Sequence, residues 1–360
     1  MKTSYLNQNN HHQDHSTKRT PSSRHKRKFS TLCGLALGLL TISHAQAQFS
    51  LGGAANYSIL QSGNGGNVTM INATNTGNIG VGSQSNLTPQ LILTGSRENG
   101  NVDFASAAIV GSSGSTITGT TSSNVAAVNS AFATLSALST SLGAISGTSL
   151  TISLSNGATQ TILAGSGVLS GGNRVFDVST NAFNFRGSSI LTIDGQGLNQ
   201  SVVLNFKGFT NWGLGAGNII LTGGLTPDQV LWNTTGAGVF MGLNSYAFGV
   251  DTIHPDYSFS GVFLNPLGQI DVADTILHGR LYGGNDSILI TNSKVDAIPE
   301  PSTYALLGIG LIGAFLLHRR SKKAQTQSDD ETIEDAKDVI MVPSPSALKR
   351  RKTVLRHCWM

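Results

Sequence analysis

The sequence predicts an all-β domain: a parallel β-solenoid that stacks short strands coil upon coil, with one α-helix packed on it. The first observation is a series of short β-type runs, Val68 to Ile71, Leu91 to Thr94, Ile190 to Ile193, Val202 to Phe206, Asn218 to Leu221 and Ile288 to Ile290. Gly and Asn separate them at intervals of roughly ten to twenty residues, as in a chain that turns a corner after every strand. The second is composition: 43 Gly in 360 residues, 12% charged and 6% aromatic. Gly and Asn supply the left-handed corners that stacked coils need, while Val, Ile and Leu form inward ladders. The third is an absence: both cysteines, Cys33 and Cys358, lie outside residues 48–297, so ladders and packing must hold the domain without a disulfide. No strict repeat period is visible, which leaves a β-sandwich as the alternative.

Taken in chain order, residues 1–47 read as a secretory signal peptide with a long n-region. Arg24, Lys26, Arg27 and Lys28 precede an apolar stretch from Leu32 to Ile42, and Ala45-Gln46-Ala47 offers a small-x-small cleavage site after Ala47. His11, His12 and His15 open the segment, but an extension that is removed is a poor place for a metal site. Cys33 lacks the preceding residues of a lipidation site.

Cleaving both ends reverses the charge. Residues 49–297 hold six Lys or Arg against eleven Asp or Glu, a formal −5, whereas the whole chain is +4. The basic balance belongs to targeting and gives no support for a nucleic-acid partner, which needs a basic patch on the folded domain.

One segment breaks the strand pattern. Val125, Val128, Phe132, Leu135 and Leu138 follow helical spacing, Asn124 is a good N-cap and Gly143 a natural stop. Such a helix is expected to hide apolar surface along the side or over an open end of the solenoid.

The landmarks along residues 48–297 carry a resemblance. Leu51 to Leu60 and Asn78 to Gly82, then Val202 to Gly208, Gln229 to Asn233 and Phe259 to Pro266 followed by Gly268 to Ile270, resemble bacterial choice-of-anchor A domains. The same chain also resembles the ice-binding-like adhesins, with a Val-x-Trp element at Val230 to Trp232, a Phe-x-Gly element at Phe259 to Gly261 and a late Gly279-Arg280-Leu281. Asn265 stands before Pro266 where the first family has Ala, and Thr140 to Asn181 matches neither. Either resemblance implies an extracellular, right-handed β-solenoid with an attached helix and no established catalysis.

The residues themselves point away from an enzyme. His254 and His278 have no nucleophile assigned by spacing, and no nucleophile elbow is present. Gly308 to Gly313 fits a dinucleotide-binding pattern, but no strand precedes it and it lies in an apolar segment. Gly283 to Ile288, with Asp271 and Asp274 nearby, is one imperfect copy of a calcium-binding turn and reads as a plain turn, so no metal and no cofactor are expected. Thr116 to Thr121 alternates Thr on a strand face, yet a flat ice-contacting array needs that face on adjacent coils. Trp212, Trp232, Tyr246 and Tyr257, among nearby Asn and Asp, are candidates for stacking on exopolysaccharide.

The chain closes on an address. Pro299-Glu300-Pro301 is held extended by its prolines, Ser302 to Leu317 is uncharged and apolar, and Arg319 and Arg320 begin a basic stop. This arrangement resembles the PEP-CTERM sorting segment, which implies a transmembrane helix within residues 298–323 and an exosortase-type membrane protease as partner. Residues 324–360, acidic then basic and bearing Pro343 and Pro345, read as a disordered cytoplasmic tail. The expected protein is exported, transiently anchored in the inner membrane of a Gram-negative bacterium, and then delivered to the cell surface or matrix in a structural or adhesive role. Carbohydrate binding is the alternative and ice binding a third reading.

Overall fold

A computed structural model describes residues 49–63, 66–83, 90–180, 183–244, 257–283, 286–297 and 315. The predicted signal segment, nearly all of the sorting segment with its transmembrane helix, the tail, Tyr246 and His254 lie outside the described residues. Among the described residues no helix is long and apolar enough to cross a membrane.

The strands stack in parallel as coils of a three-faced solenoid. The first face runs, in spatial order, through Thr121–Ser122, Val102–Phe104, Asn78–Val81, Tyr57–Gln61, Ile276–Gly283, Ser258–Asn265, Val230–Thr234, Ser201–Phe206, Asn173–Val178 and Thr148–Leu150. The second carries Asn211–Leu214, Phe240–Asn244, Gln269–Ala273, Ile288–Thr291, Val68–Ile71, Leu91–Thr94 and Val110–Ser113. On the third, Thr159–Leu163, Ser189–Asp194 and Gly217–Thr222 form one sheet, and Lys294–Asp296, Thr74–Thr76, Arg97–Glu98 and Thr116–Ile117 another. All six strands expected from sequence are present, and the β-sandwich alternative falls because the ladders among the described residues are parallel, apart from the short hairpin of Val168–Ser170 on Asn173–Val178.

Strand order is not chain order. The first strand, Tyr57–Gln61, lies mid-stack, paired on one side with Asn78–Val81 and on the other with Ile276–Gly283. From it the chain winds outward to Thr121–Ser122, crosses to the opposite end, and winds back from Thr148–Leu150 to the middle. The crossing is α1, Ala126–Gly143, which lies along the outside of the first face. Its Val128, Ala131, Leu135 and Leu142 are buried with Val175, Val203, Leu231, Val262, Leu264 and Tyr282 from successive strands. An 18-residue helix is about 27 Å long and covers roughly six strands at 4.8 Å spacing.

Covered on both sides, the first-face strands lose polar alternation, and Ser201–Phe206 is buried at every position. The second face keeps alternation, as in Val68–Ile71, whose residues are buried and half-buried in turn. The helix differs from expectation at its edges. Asn124 takes φ 59° rather than capping, the N-cap is Val125 without a side-chain hydrogen bond, and Gly143 is the last helical residue rather than the stop. The buried stripe runs 128, 131, 135, 139 and 142, leaving Phe132 and Leu138 half-buried. Ser139 joins it because its hydroxyl donates to Asn233 Oδ1 at 2.6 Å, while Asn233 Nδ2 donates to Asn205 Oδ1 and to the Ser139 carbonyl.

The corner between the second and third faces repeats a chemistry rather than a sequence. Asp274, Asn292, Asn72, Gly95 and Gly114, one per coil, all have positive φ between 47° and 62°. Asn and Asp tolerate this region and Gly enters it freely. Ser96, Ser115 and Ser293 follow, each donating its hydroxyl to the carbonyl two residues back, and each accepts a backbone N–H from the neighbouring coil.

At mid-stack the two windings meet in a polar clamp. Buried Arg280 donates from Nε to Asp228 Oδ1 at 2.9 Å and from Nη1 to the carbonyls of Tyr57, at 2.9 Å, and Ala55. The Tyr282 hydroxyl donates to the carbonyls of Ala54 and Tyr57. Beside the clamp, Gly261 and Gly279 pair in register where two eight-residue strands bend from the third face into the first. With φ 146°, Gly279 has no room for a side chain: a Cβ there would lie 1.9 Å from the Gly261 carbonyl oxygen.

The lumen is filled by aliphatic ladders and a stack of rings: Phe206 on Trp212, centroids 3.8 Å apart, and Trp232 on Phe263 at 5.5 Å. One polar pair interrupts it. Glu98 is fully buried, accepts from Asn75 Nδ2 at 2.8 Å, and has its carboxyl pushed up to about 8 by burial, which outweighs the hydrogen bonds from Asn75 and the Gly100 backbone. Glu98 Oε1 and Asn75 Oδ1 have no hydrogen-bond partner among the described residues.

Candidate binding face

Each face presents a different surface. The helix covers the first. On the part of the third face built by Lys294–Asp296, Thr74–Thr76, Arg97–Glu98 and Thr116–Ile117, the columns are broken by charge: Thr116, Arg97, Thr74 and Lys294 succeed one another in register. The Thr of Thr116 to Thr121 therefore does not continue onto adjacent coils.

The second face is different. Alternation turns every other side chain outward, and parallel register aligns these into columns. One column reads Leu289, Thr69 and Ile92; its neighbour reads Thr291, Ile71 and Thr94. All six are half-buried or exposed, and together they form an uncharged checkerboard of hydroxyl and aliphatic groups. Sequence reading missed it because the Thr residues sit on strands about twenty residues or more apart in the chain, Thr291 far from Thr69.

Toward the end of this face nearer Thr148–Leu150, the columns pass into Asp271, Gly242 and Gly213. Missing side chains open a groove of about 760 Å³. Its floor is the Gly213 and Gly242 backbone, closely packed: a Cβ on Gly213 would meet the Gly242 carbonyl oxygen at 2.8 Å. Phe183 and Trp212 form an apolar wall in edge-to-face contact, centroids 5.8 Å apart. The rim carries Phe240, 39% exposed, with Asp271, Asn211 and Arg186. Burial raises the Asp271 carboxyl above its ordinary range. Neither Asp271 nor the Arg186 guanidinium has a side-chain hydrogen bond or ion pair among the described residues.

The four aromatic residues singled out from sequence do not converge on a surface. Trp232 is fully buried between Phe206 and Phe263, its indole N–H donating to the Ser260 carbonyl, so neither ring face is open. Trp212 is 5% exposed, donates to Thr234 Oγ1, and is stacked on Phe206 where it lines the groove. Tyr257 is half-buried on the third-face side, its hydroxyl against that of Ser188. Tyr246 lies outside the described residues. In the calcium-like turn, Asp274 is a corner residue accepting from Asn292 at 3.1 Å, while Asp271 belongs to the groove rim. Among the described residues no three His, Cys, Asp or Glu side chains cluster to hold a metal.

A family model described as an ice-binding-like adhesive domain matches residues 38–286, and one for the PEP-CTERM protein-sorting motif matches residues 297–320. No curated protein matches. Similar solved structures include an ice-binding protein from the Antarctic ascomycete Antarctomyces psychrotrophicus, 20% identical over 70% of this chain and 100% of that one, TM-score 0.48. An ice-binding protein from an Arctic yeast is 14% identical over 71% and 97%, TM-score 0.46. The DUF3494 domain of an ice-binding protein from Shewanella frigidimarina is 19% identical over 69% and 96%, TM-score 0.44.

Proposed function

Since the chain belongs to the ice-binding-like adhesive domain family and carries a PEP-CTERM sorting motif, we propose that it is an exosortase-sorted surface adhesin whose contact surface is the second face of the solenoid. One observation carries the proposal: the checkerboard of Leu289, Thr69, Ile92, Thr291, Ile71 and Thr94 is in register across adjacent coils, uncharged and uncovered by α1. A rigid ladder presents such groups at fixed spacing, so many weak contacts to an ordered surface add up without a cost in ordering the protein. In this reading the signal segment 1–47 and the sorting segment 298–323 are processed away, and residues 48–297 reach the surface or matrix without catalysis. The test is to place charge on the face with Thr69→Lys and Ile92→Lys. Cells displaying this variant are expected to adhere to polysaccharide-coated surfaces at least tenfold less, whereas Thr161→Lys on the third face leaves adhesion unchanged. Equal adhesion by all three proteins would remove the second face from the mechanism.

A second reading is favoured by the same alternation of Thr with aliphatics, which also suits an ordered ice surface. Thermal hysteresis by the wild-type protein, lost in the Thr69→Lys, Ile92→Lys variant, would move the assignment there.

Sorting has its own expected outcome. Changing Glu300 and Pro301 to Ala removes the extended Pro-Glu-Pro recognition element, and the variant is expected to remain with the inner membrane on fractionation. Undiminished arrival at the surface would show that cleavage does not depend on these residues.

A further inference from the structure

We propose that the glycine-floored groove is a binding site for a neutral glycan, one pyranose ring lying on Phe240 with a pair of its hydroxyls on Asp271 and another on Arg186. This deepens the adhesive reading by naming a ligand class for one end of the same face, and it rests on that reading only for its biological setting. Four features argue for it. The groove, about 760 Å³, falls in the size range of roughly 300–1,000 Å³ that small-ligand pockets occupy. Phe240 is 39% exposed on an otherwise aromatic-poor surface, and a bare phenyl face suits the apolar face of a sugar ring. Asp271 supplies two acceptor oxygens and Arg186 a fork of donors, with neither committed to an ion pair among the described residues. Finally, Gly242 leaves room for the Phe240 ring to lie over the sheet, since a Cβ there would sit only 3.1 Å from it, so a bulkier residue at 242 would displace the ring.

The charge balance selects the ligand. One carboxylate and one guanidinium on the rim leave no net charge, so a neutral sugar satisfies both, whereas a uronic acid polymer would lose to Asp271 what it gains from Arg186 and so is not favoured. The tryptophans seen from sequence cannot serve, since Trp232 is enclosed and Trp212 is only 5% exposed and stacked on Phe206. Trp212, in the groove wall, is a reporter.

The full chain, solubilised in a detergent without a sugar headgroup, would be titrated with six-unit gluco-, galacto- and manno-oligosaccharides and with an oligo-uronate, following Trp emission. A saturable change with at least one neutral hexasaccharide is expected. Phe240→Ala and Asp271→Asn should each weaken that binding at least tenfold at an unchanged melting temperature, and Gly242→Val should abolish it. Binding by none of the neutral probes, preference for the oligo-uronate, or full affinity in Phe240→Ala and Asp271→Asn would overturn the proposal. Adhesion that survives the groove variants but not Thr69→Lys with Ile92→Lys would leave the adhesive reading standing; the converse would separate the two.

Discussion

Replacing Arg280 with Ala is expected to lower folding stability by about 4 kcal/mol, because removing one partner of a buried pair leaves an uncompensated charge. Asp228 is 4% exposed and would keep its carboxylate without the Nε donor now 2.9 Å away. The carbonyls of Ala55 and Tyr57 would lose their donors as well. Those carbonyls belong to the N-terminal winding and Asp228 to the C-terminal one, so the loss falls on the contact that joins them. Denaturant unfolding of the wild type and of Arg280→Ala measures it. Adding Asp228→Asn should recover part of the loss, since an amide is cheaper to bury than an unpaired carboxylate. A single variant within about 0.5 kcal/mol of wild type, the ordinary range of surface substitutions, would show that the clamp is not structural.

The second large effect is a dependence on pH. Glu98 has its carboxyl raised to about 8, so the folded chain holds a proton there that the unfolded chain releases near the ordinary carboxylate value of 4.5. The contribution of this group is therefore fully present below about pH 4.5 and is lost as pH rises through about 8. At about 1.36 kcal/mol per unit, the decline is on the order of 5 kcal/mol across that window. Glu98→Gln should abolish it and make the protein more stable than wild type above pH 8. The amide nitrogen, in place of the unpartnered Glu98 Oε1, can donate toward Asn75 Oδ1, which now lacks a partner, while the amide oxygen still accepts from Asn75 Nδ2. Unfolding measured from pH 5 to 9 decides this; parallel curves for the two proteins would mean that Glu98 is ionised in the fold or reached by water.

Local chemistry made much of the architecture legible. Val68–Ile71 and Leu91–Thr94 announce themselves by β-branched runs between Asn and Gly, and α1 by its spacing of apolar residues. The Val-x-Trp, Phe-x-Gly and Gly-Arg-Leu elements prove to be ring stack, bend and clamp, at Trp232, Gly261 and Arg280. What stayed hidden depends on which strands become neighbours. Thr69 lies beside Ile92 only through the stacking of successive coils and beside Leu289 only through pairing across the two windings, and no short linear window contains those adjacencies. The repeat was invisible for a related reason: at the corner column, Asn72, Gly95 and Asn292 are interchangeable conformationally but not by identity. Ser139 escaped as a buried helix residue because its partner, Asn233, is 94 residues away. The groove could not be foreseen because it is made by what Gly213 and Gly242 lack.

The clamp has a consequence in time. A hydrogen bond from Tyr282 to Tyr57 spans 225 positions, so the first strand to be made must wait for almost the last before its open edge is covered. Until then Tyr57–Gln61 exposes an unpaired ladder, and closing so long a loop places this seam among the slow steps of folding. The outer coils can form early and independently. The middle of the molecule matures last, and a nascent chain halted short of Arg280 would present two half-stacks, each with one sticky edge, to any other chain in the same condition.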